Sequence, residues 1–161
     1  MINKGIEKIS INTGLTGEKK EKGSQEQIKE SLALITGQKP LPTKAKQSIA
    51  SFDITEGELL GFKVTLRGKR KDDFFEKMYK VVLPRMKDFE GIPTDNFDEH
   101  GNLTIGFTDA KIFPELREKH DLIDFGLEVT FVTTFDNKED AIKFLKEQGM
   151  PLQSSAQEDK Q

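Results

Sequence analysis

The segment LGFKVTLR, residues 60–67, decides the fold class of this chain. Its residues alternate between apolar and polar, and a period of two is typical of a β-strand with one face in a core. The apolar face consists of Phe62, Val64 and Leu66. The polar face carries two cations and a hydroxyl: Lys63, Thr65 and Arg67. The sequence therefore predicts a sheet whose second face is basic and accessible to a partner.

Further strand signals recur at residues 5–13, 48–54, 102–107 and 127–135. Three helices are interspersed with these strands, and some strands are separated only by hairpin-length links. The fold class predicted is α+β, with an antiparallel or mixed sheet covered by helices on one face. The other face would remain open for binding. We expect a single domain over residues 1–152 and a disordered tail over residues 153–161, because the tail is polar and low in apolar residues.

The first helix has the clearest boundary signals. Ser24 with Gln27 three residues later forms a capping-box pattern, and Gly37 is placed to end the helix. Residues 38–47 are expected to be non-helical, since they contain Pro40 and Pro42. Carboxylate or amide caps are predicted for the other two helices: Asp72 or Asp73 for the second, and Asp136 or Asn137 for the third.

The charge of the chain is unevenly distributed. The formal net charge is −3, yet residues 1–87 hold 18 Lys/Arg and 11 Asp/Glu, a balance of +7. Residues 88–161 hold 7 Lys/Arg and 17 Asp/Glu, a balance of −10. Such asymmetry indicates a nucleic-acid surface in the first part and a protein or solvent surface in the second. The alternative is that the patches average out once the chain is folded.

A run of cations at residues 67–71 follows the basic strand face. Together with Lys39, Lys44, Lys46 and Lys63 it predicts contacts to phosphates, whereas the alternative is a solvated turn before a helix. No helix-turn-helix, zinc-finger or aromatic RNP pattern is present. A sheet presenting Lys, Arg, Thr, Ser and Gln suits the backbone and shallow groove of folded RNA.

Catalytic patterns are scarce in this sequence. The histidines, His100 and His120, lie in polar loop sequence and are interpreted as surface residues. There is no cysteine, no HExxH spacing and no glycine-rich phosphate loop, so no catalytic residue, metal site or cofactor is predicted. No apolar run is long enough to cross a bilayer, so no membrane partner is expected. Two other hypotheses are a phosphate-ester or acyl-phosphate hydrolase clamping its substrate with Arg67 or Arg70, and a protein–protein adaptor binding through its acidic half.

A collinear series of motifs resembles the family of large-subunit ribosomal protein five, the 5S-rRNA-binding protein of the central protuberance. The motifs are LITGQKP (34–40), TKAKQSIASF (43–52), GFKVTLRG (61–68), LPRMKDFEG (83–91), FDEHGNLTIG (97–106), IFPE (112–115), VTT (132–134) and GMP (149–151). Any one of them is weak evidence. Their order over nearly the whole chain, from about residue 6 to residue 152, is highly specific.

The resemblance implies a structural protein whose sheet and Thr-Lys-Ala segment hold 5S rRNA. It assigns RNA contact to Gln38, Thr43, Lys44, Lys46, Ser48, Lys63, Thr65 and Arg67; the cation run adds Lys69 and Arg70. It further implies contact with large-subunit rRNA, and a loop at residues 85–102 near peptidyl-site tRNA, in which Arg85, Lys87, Phe89 and Gly91 are candidates. The acidic half would face small-subunit ribosomal protein thirteen.

Two departures from the family pattern affect the expected location. The chain begins almost at its first strand, without the family's usual N-terminal helix, and the loop at residues 88–91 is more acidic than usual. The expected location is the cytoplasmic ribosome. The alternative is a mitochondrial or plastid ribosome.

Overall fold

The structure, a computed structural model, describes residues 5–48, 55–87 and 89–153, with only the backbone of residue 18. The strand predicted at residues 48–54 lies outside these ranges except for Ser48, which is not in a strand. The predicted tail also lies outside them except for Gln153, whose N–H donates to Ile92 O at 2.9 Å.

Five strands form one sheet in the order β2-β3-β1-β5-β4. Their bounds are Ile6–Gly14 for β1, Leu41–Lys44 for β2, Leu59–Leu66 for β3, Leu103–Phe107 for β4 and Leu127–Thr133 for β5. Strands β2 and β3 pair antiparallel, with Leu41 opposite Lys63 and Lys44 opposite Leu59. The predicted α+β class with an antiparallel sheet is confirmed.

Strand β2 was not expected from the sequence because it contains Pro42. The position of β2 at the edge of the sheet explains why proline is tolerated, since an edge strand does not need every N–H for pairing. In β3 the expected alternation is confirmed, with Phe62, Val64 and Leu66 at most 5% exposed.

Helix α1 spans Lys22–Thr36, α2 spans Gly68–Lys77 and α3 spans Lys138–Glu147. Helix α2 continues through a π-helical turn, Met78–Val82, and a 3₁₀ turn, Leu83–Arg85. Helical structure therefore ends beside Pro84, as expected for a residue that cannot continue a helix.

The predicted capping box of α1 is wrong. Glu21 occupies the N-cap without a side-chain hydrogen bond, and Ser24 lies inside the first turn. A 3₁₀ turn, Gly17–Lys20, leads into the helix, and the Gln25 side-chain amide donates to Lys20 O at 2.7 Å. The helix therefore begins before Ser24. At the other end the prediction is confirmed, because Gly37 adopts the left-handed conformation with φ 73° and donates to Ala33 O.

The cap predicted for α2 is also wrong, whereas that of α3 is confirmed. Helix α2 begins at Gly68, whose φ of 61° turns the chain directly out of β3, so that Asp72 and Asp73 lie beyond the first turn. In α3 the Asn137 side chain accepts a hydrogen bond from Asp140 N at 2.9 Å.

The chain divides into two compact units. Unit 1 comprises residues 1–10, 66–106 and 129–161, and unit 2 comprises residues 11–65 and 107–128. The apolar side chains of unit 1 include Phe75, Met78 and Phe131, each at most 1% exposed. Those of unit 2 include Ile28, Leu32, Ile35, Phe113 and Phe125, each at most 2% exposed. The single-domain interpretation stays a prediction.

Candidate nucleic-acid interface

Strands β2 and β3 present the first part of the candidate interface, in unit 2. Leu41 lies opposite Lys63 and Thr43 lies opposite Gly61, so each pair shares a face of the sheet. Lys63 is exposed, whereas Thr43 and Thr65 are half-buried. The expected polar face of β3 is therefore accessible within this unit, with a cation and hydroxyls at its surface.

The segment Lys44-Ala45-Lys46 is held by its backbone. Ala45 N donates to Glu58 O and Ala45 O accepts from Gly57 N, both at 2.9 Å, and the Ala45 side chain is 8% exposed. Lys44 and Lys46 are exposed on either side of it. A backbone fixed by two hydrogen bonds thus presents two cations to solvent.

Two further residues assigned to RNA contact also hold the local structure together. The Gln38 side-chain nitrogen donates to Thr65 O at 2.9 Å, which ties the segment after α1 to β3. The Ser48 hydroxyl accepts from Glu56 N at 3.0 Å, across the turn before β3. Their RNA contact stays a prediction, whereas their role in positioning the neighbouring backbone follows from these bonds.

The same surface of unit 2 contains a carboxylate that the sequence pattern did not single out. Glu58 accepts from Thr55 N at 3.2 Å and forms an ion pair with Lys20 at 3.3 Å. The pKa of Glu58 is lowered, first by the backbone N–H of Thr55 and then by Lys20. Lys20 is therefore partly neutralised, although it lies in a cation-rich loop; its partner is 38 residues away in sequence.

The other predicted RNA-contact cations belong to unit 1. Arg67 is the N-cap of α2, and Lys69 and Arg70 lie in its first turn; all three are exposed. The first turn holds no acidic residue, so the partial positive charge of a helix N-terminus adds to these cations. This end of α2 therefore carries a concentrated positive potential.

Lys71 departs from the expected phosphate-binding run at residues 67–71. Its side chain is buried, and its Nζ donates to Ile6 O at 2.7 Å, with Asp72 at 3.9 Å. The interpretation of all four cations as phosphate contacts is thus wrong for Lys71. The reason is helical geometry, because Lys71 lies on the buried face of α2 together with Phe74 and Phe75.

Alanine substitutions at Lys71 and Lys69 are expected to separate a lysine that stabilises the fold from one that is available to bind phosphate. Lys71→Ala should lower the free energy of unfolding by about 1–3 kcal/mol, since a buried carbonyl loses its donor. Lys69→Ala should change it by less than about 0.5 kcal/mol, because Lys69 is exposed. Urea unfolding checks both values, and equal midpoints for the two variants would contradict the assignment.

The first part of the loop proposed to approach tRNA lies between two anchored residues. Leu83 is fully buried just before the loop begins, and Ile92 N, within the loop, donates to Pro151 O at 2.8 Å. Between them, the candidate residues Arg85 and Lys87 are exposed, and Phe89 and Gly91 are half-buried. The C-terminal segment therefore fixes the position of Ile92 in a loop that presents two cations.

The FDEHGN motif forms a closed turn before β4. Asp98 accepts hydrogen bonds from the N–H groups of His100 and Asn102, both at 2.9 Å, and from the Asn102 side chain at 3.1 Å. Burial acts to raise the pKa of Asp98, but the hydrogen bonds from Asn102 and His100 outweigh it and lower the pKa. Asn102 also accepts from Thr133 N at 3.1 Å, which ties the turn to β5.

The lowered pKa of Asp98 makes the turn sensitive to acid. Its ionised form stabilises the fold above the ordinary aspartate pKa of about 3.9, and this contribution is lost as the pH falls through the lowered value. Wild type should therefore lose more stability than Asp98→Asn between about pH 6 and pH 2.5 in denaturant unfolding. Glu99→Gln removes a charge from the same turn as a control; identical acid sensitivity in both variants would contradict the prediction.

His100 and His120 are exposed, as expected for surface residues. Among the described residues, no group of three or more His, Asp or Glu side chains is arranged to hold a metal ion. Nor does any helix in the described ranges have the length and apolar character needed to span a membrane.

Known proteins similar to this chain match most of its length. A family model for ribosomal protein L5 matches residues 1–54, and a second model, for the C-terminus of the same ribosomal family, matches residues 59–152. Large ribosomal subunit protein uL5 of Streptococcus pyogenes serotype M49 is 45% identical over 149 residues, covering 91% of this chain and 82% of that protein. The Helicobacter pylori protein of the same name is 43% identical over 147 residues, covering 91% and 81%.

These matches define the class of the protein as ribosomal, and neither family model describes an enzyme. The chain belongs to the ribosomal protein L5 family. The resemblance drawn from the sequence motifs is therefore confirmed.

Proposed function

We propose that this protein is a structural constituent of the large ribosomal subunit that binds 5S rRNA and attaches it in the central protuberance. The observation that carries the proposal is the pair Lys44 and Lys46, exposed on either side of a backbone-anchored Ala45. Lys63, Thr43 and Thr65 extend this surface with a cation and hydroxyls that suit phosphates and 2′-hydroxyl groups.

The N-terminal end of α2 supplies a second basic region for 5S rRNA or for large-subunit rRNA. Arg67, Lys69 and Arg70 are exposed there, beside a helix N-terminus that favours phosphate oxygens. Phosphate contacts of this kind fix the position of a protein on RNA without reading its sequence.

The loop at residues 85–102 contacts peptidyl-site tRNA in this proposal. Arg85 and Lys87 supply exposed cations, Phe89 supplies a half-buried aromatic ring, and Gly91 permits the turn with φ 110°. Anchoring of Ile92 by Pro151 and Gln153 supports the proposal, because a positioned loop loses less conformational entropy on binding.

The segment of residues 88–161, in which Asp and Glu outnumber Lys and Arg, supplies the contact with small-subunit ribosomal protein thirteen. Their balance of −10 favours a basic protein surface as the partner. The proposed location is the cytoplasmic ribosome, in keeping with the bacterial relatives.

Direct binding to 5S rRNA tests the central proposal. The purified chain should bind 5S rRNA with an affinity that falls steeply with salt, and should bind an unrelated folded RNA of equal length more weakly. In cell extracts it should co-sediment with large subunits. Binding of both RNAs with equal affinity, or sedimentation away from the large subunit, would overturn the proposal.

A further inference from the structure

The ion pair between Lys20 and Glu58 lies beside the lysines proposed to bind 5S rRNA, within unit 2. Lys20 Nζ is 3.3 Å from Glu58 Oε1, although the two residues are 38 apart in sequence. Glu58 O accepts a hydrogen bond from Ala45 N at 2.9 Å. Ala45 in turn lies between the exposed Lys44 and Lys46. Glu58 therefore connects Lys20 to the surface assigned to RNA.

Both members of the ion pair lie on backbone that other hydrogen bonds hold in place. Lys20 ends the 3₁₀ turn Gly17–Lys20, and its carbonyl accepts from the Gln25 side-chain amide at 2.7 Å. Glu58 N donates to Thr55 O at 3.0 Å, and Glu58 Oε2 accepts from Thr55 N at 3.2 Å. The ammonium and carboxylate groups thus face each other from two hydrogen-bonded segments, so little backbone entropy is lost when they pair.

The carboxylate of Glu58 occupies a cation that a phosphate group can also reach. The Lys20 side chain is 48% exposed and that of Glu58 is 29% exposed, so a partner in solution has access to both. Exposed ion pairs are weak because water and salt screen them. A phosphate that approaches this surface can therefore compete with the carboxylate for the ammonium group.

We propose that Lys20 is a further phosphate-binding residue and that Glu58 is an autoinhibitory carboxylate, which a phosphate of 5S rRNA must displace. This inference rests on the proposed binding of 5S rRNA. Separating Glu58 from Lys20 offsets part of the energy that the new contact contributes, so Glu58 lowers the affinity for RNA. An RNA with no phosphate at this position meets a neutral pair instead of a free cation.

Filter binding of 5S rRNA to the full-length chain and its variants, at about 0.1 M salt, tests the inhibition by Glu58. Glu58→Gln should raise the affinity about fivefold, because Lys20 is then free to bind phosphate. The same change made in Lys20→Ala should raise it less than about twofold, since the cation that Glu58 occupies is missing. Glutamine keeps an oxygen that can accept from Thr55 N, so the unfolding midpoint should remain close to that of wild type.

Glu56→Gln is the matched control, because Glu56 is exposed in the same turn and no described residue forms an ion pair with it. It removes the same charge and should raise the affinity less than about twofold. Equal gains in Glu56→Gln and Glu58→Gln would overturn the proposal, as would equal gains from Glu58→Gln with and without Lys20. A lower affinity in Glu58→Gln would also overturn it, because the carboxylate would then support the RNA surface.

Acetylation of lysine side chains, located by mass spectrometry, reports on the contact of Lys20 with RNA. Bound 5S rRNA should slow the acetylation of Lys20 in the wild-type protein, because a phosphate then covers the ammonium group. An unchanged rate would overturn the proposal. Wild-type protein that binds no 5S rRNA would overturn the proposed function together with this inference. Binding by the wild-type protein without protection of Lys20 would overturn this inference alone.

Discussion

Replacing Lys44 and Lys46 together by alanine is expected to weaken 5S rRNA binding by about 50-fold at about 0.1 M salt. Each lysine that neutralises a phosphate releases counterions, so the slope of log affinity against log salt should become shallower by about 1.5. Both side chains are exposed, and Ala45 between them keeps its backbone hydrogen bonds, so stability should be unaffected. Filter binding at several salt concentrations measures both quantities.

The matched control removes the same charge from a different surface. Lys143 and Lys146 are exposed on α3, and Lys143→Ala/Lys146→Ala should change 5S rRNA affinity and salt slope little. If both double variants lose equal affinity, the attraction is general rather than local. If neither loses affinity, the β2–β3 surface is not the RNA site.

The substitution with the largest expected effect on stability is Phe75→Ala in α2. Phe75 is 1% exposed, and its ring packs edge to face on Tyr79 at 5.4 Å and on Phe131 at 5.9 Å. Removing it should lower the free energy of unfolding by about 3–5 kcal/mol, from lost transfer energy and the cavity left behind. For a chain of this size the melting temperature should fall by about 10 °C.

Val81→Ala provides the comparison for Phe75, because Val81 lies in the same helical stretch but is 37% exposed. Its cost should remain below about 1 kcal/mol. Thermal and urea unfolding should agree on the order of the two variants. A loss below about 1 kcal/mol for Phe75→Ala would mean that this aromatic cluster does not support the core of unit 1.

Periodic patterns predicted most of the elements. The alternation at residues 60–67 matches β3, and Phe75, Met78 and Val82 at helical spacing are buried along α2 and its continuation. Gly37 and Asn137 mark helix ends as expected. These signals succeed because each depends on the conformation of a few adjacent residues.

The helix starts were predicted less well than the helices themselves. Ser24 and Asp72 have the chemistry of N-caps, but α1 and α2 begin two and four residues earlier, at Lys22 and Gly68. A 3₁₀ turn leads into α1, and Gly68 redirects the chain into α2, so both helices begin before the capping side chain is reached. A capping residue stabilises the first turn of a helix, but it does not by itself decide at which residue the helix begins.

The sequence by itself determined the α+β class, the buried and polar faces of β3 and, through its motifs, membership of the ribosomal protein L5 family. Only the tertiary structure decided that Lys71 is buried and donates to Ile6 O, that Lys20 pairs with Glu58, and that Gln27 accepts a hydrogen bond from Ile123 N. These pairs are separated by 65, 38 and 96 residues. Periodicity is a local property of the backbone, whereas the environment of a lysine or glutamine depends on distant segments that meet only in the folded chain.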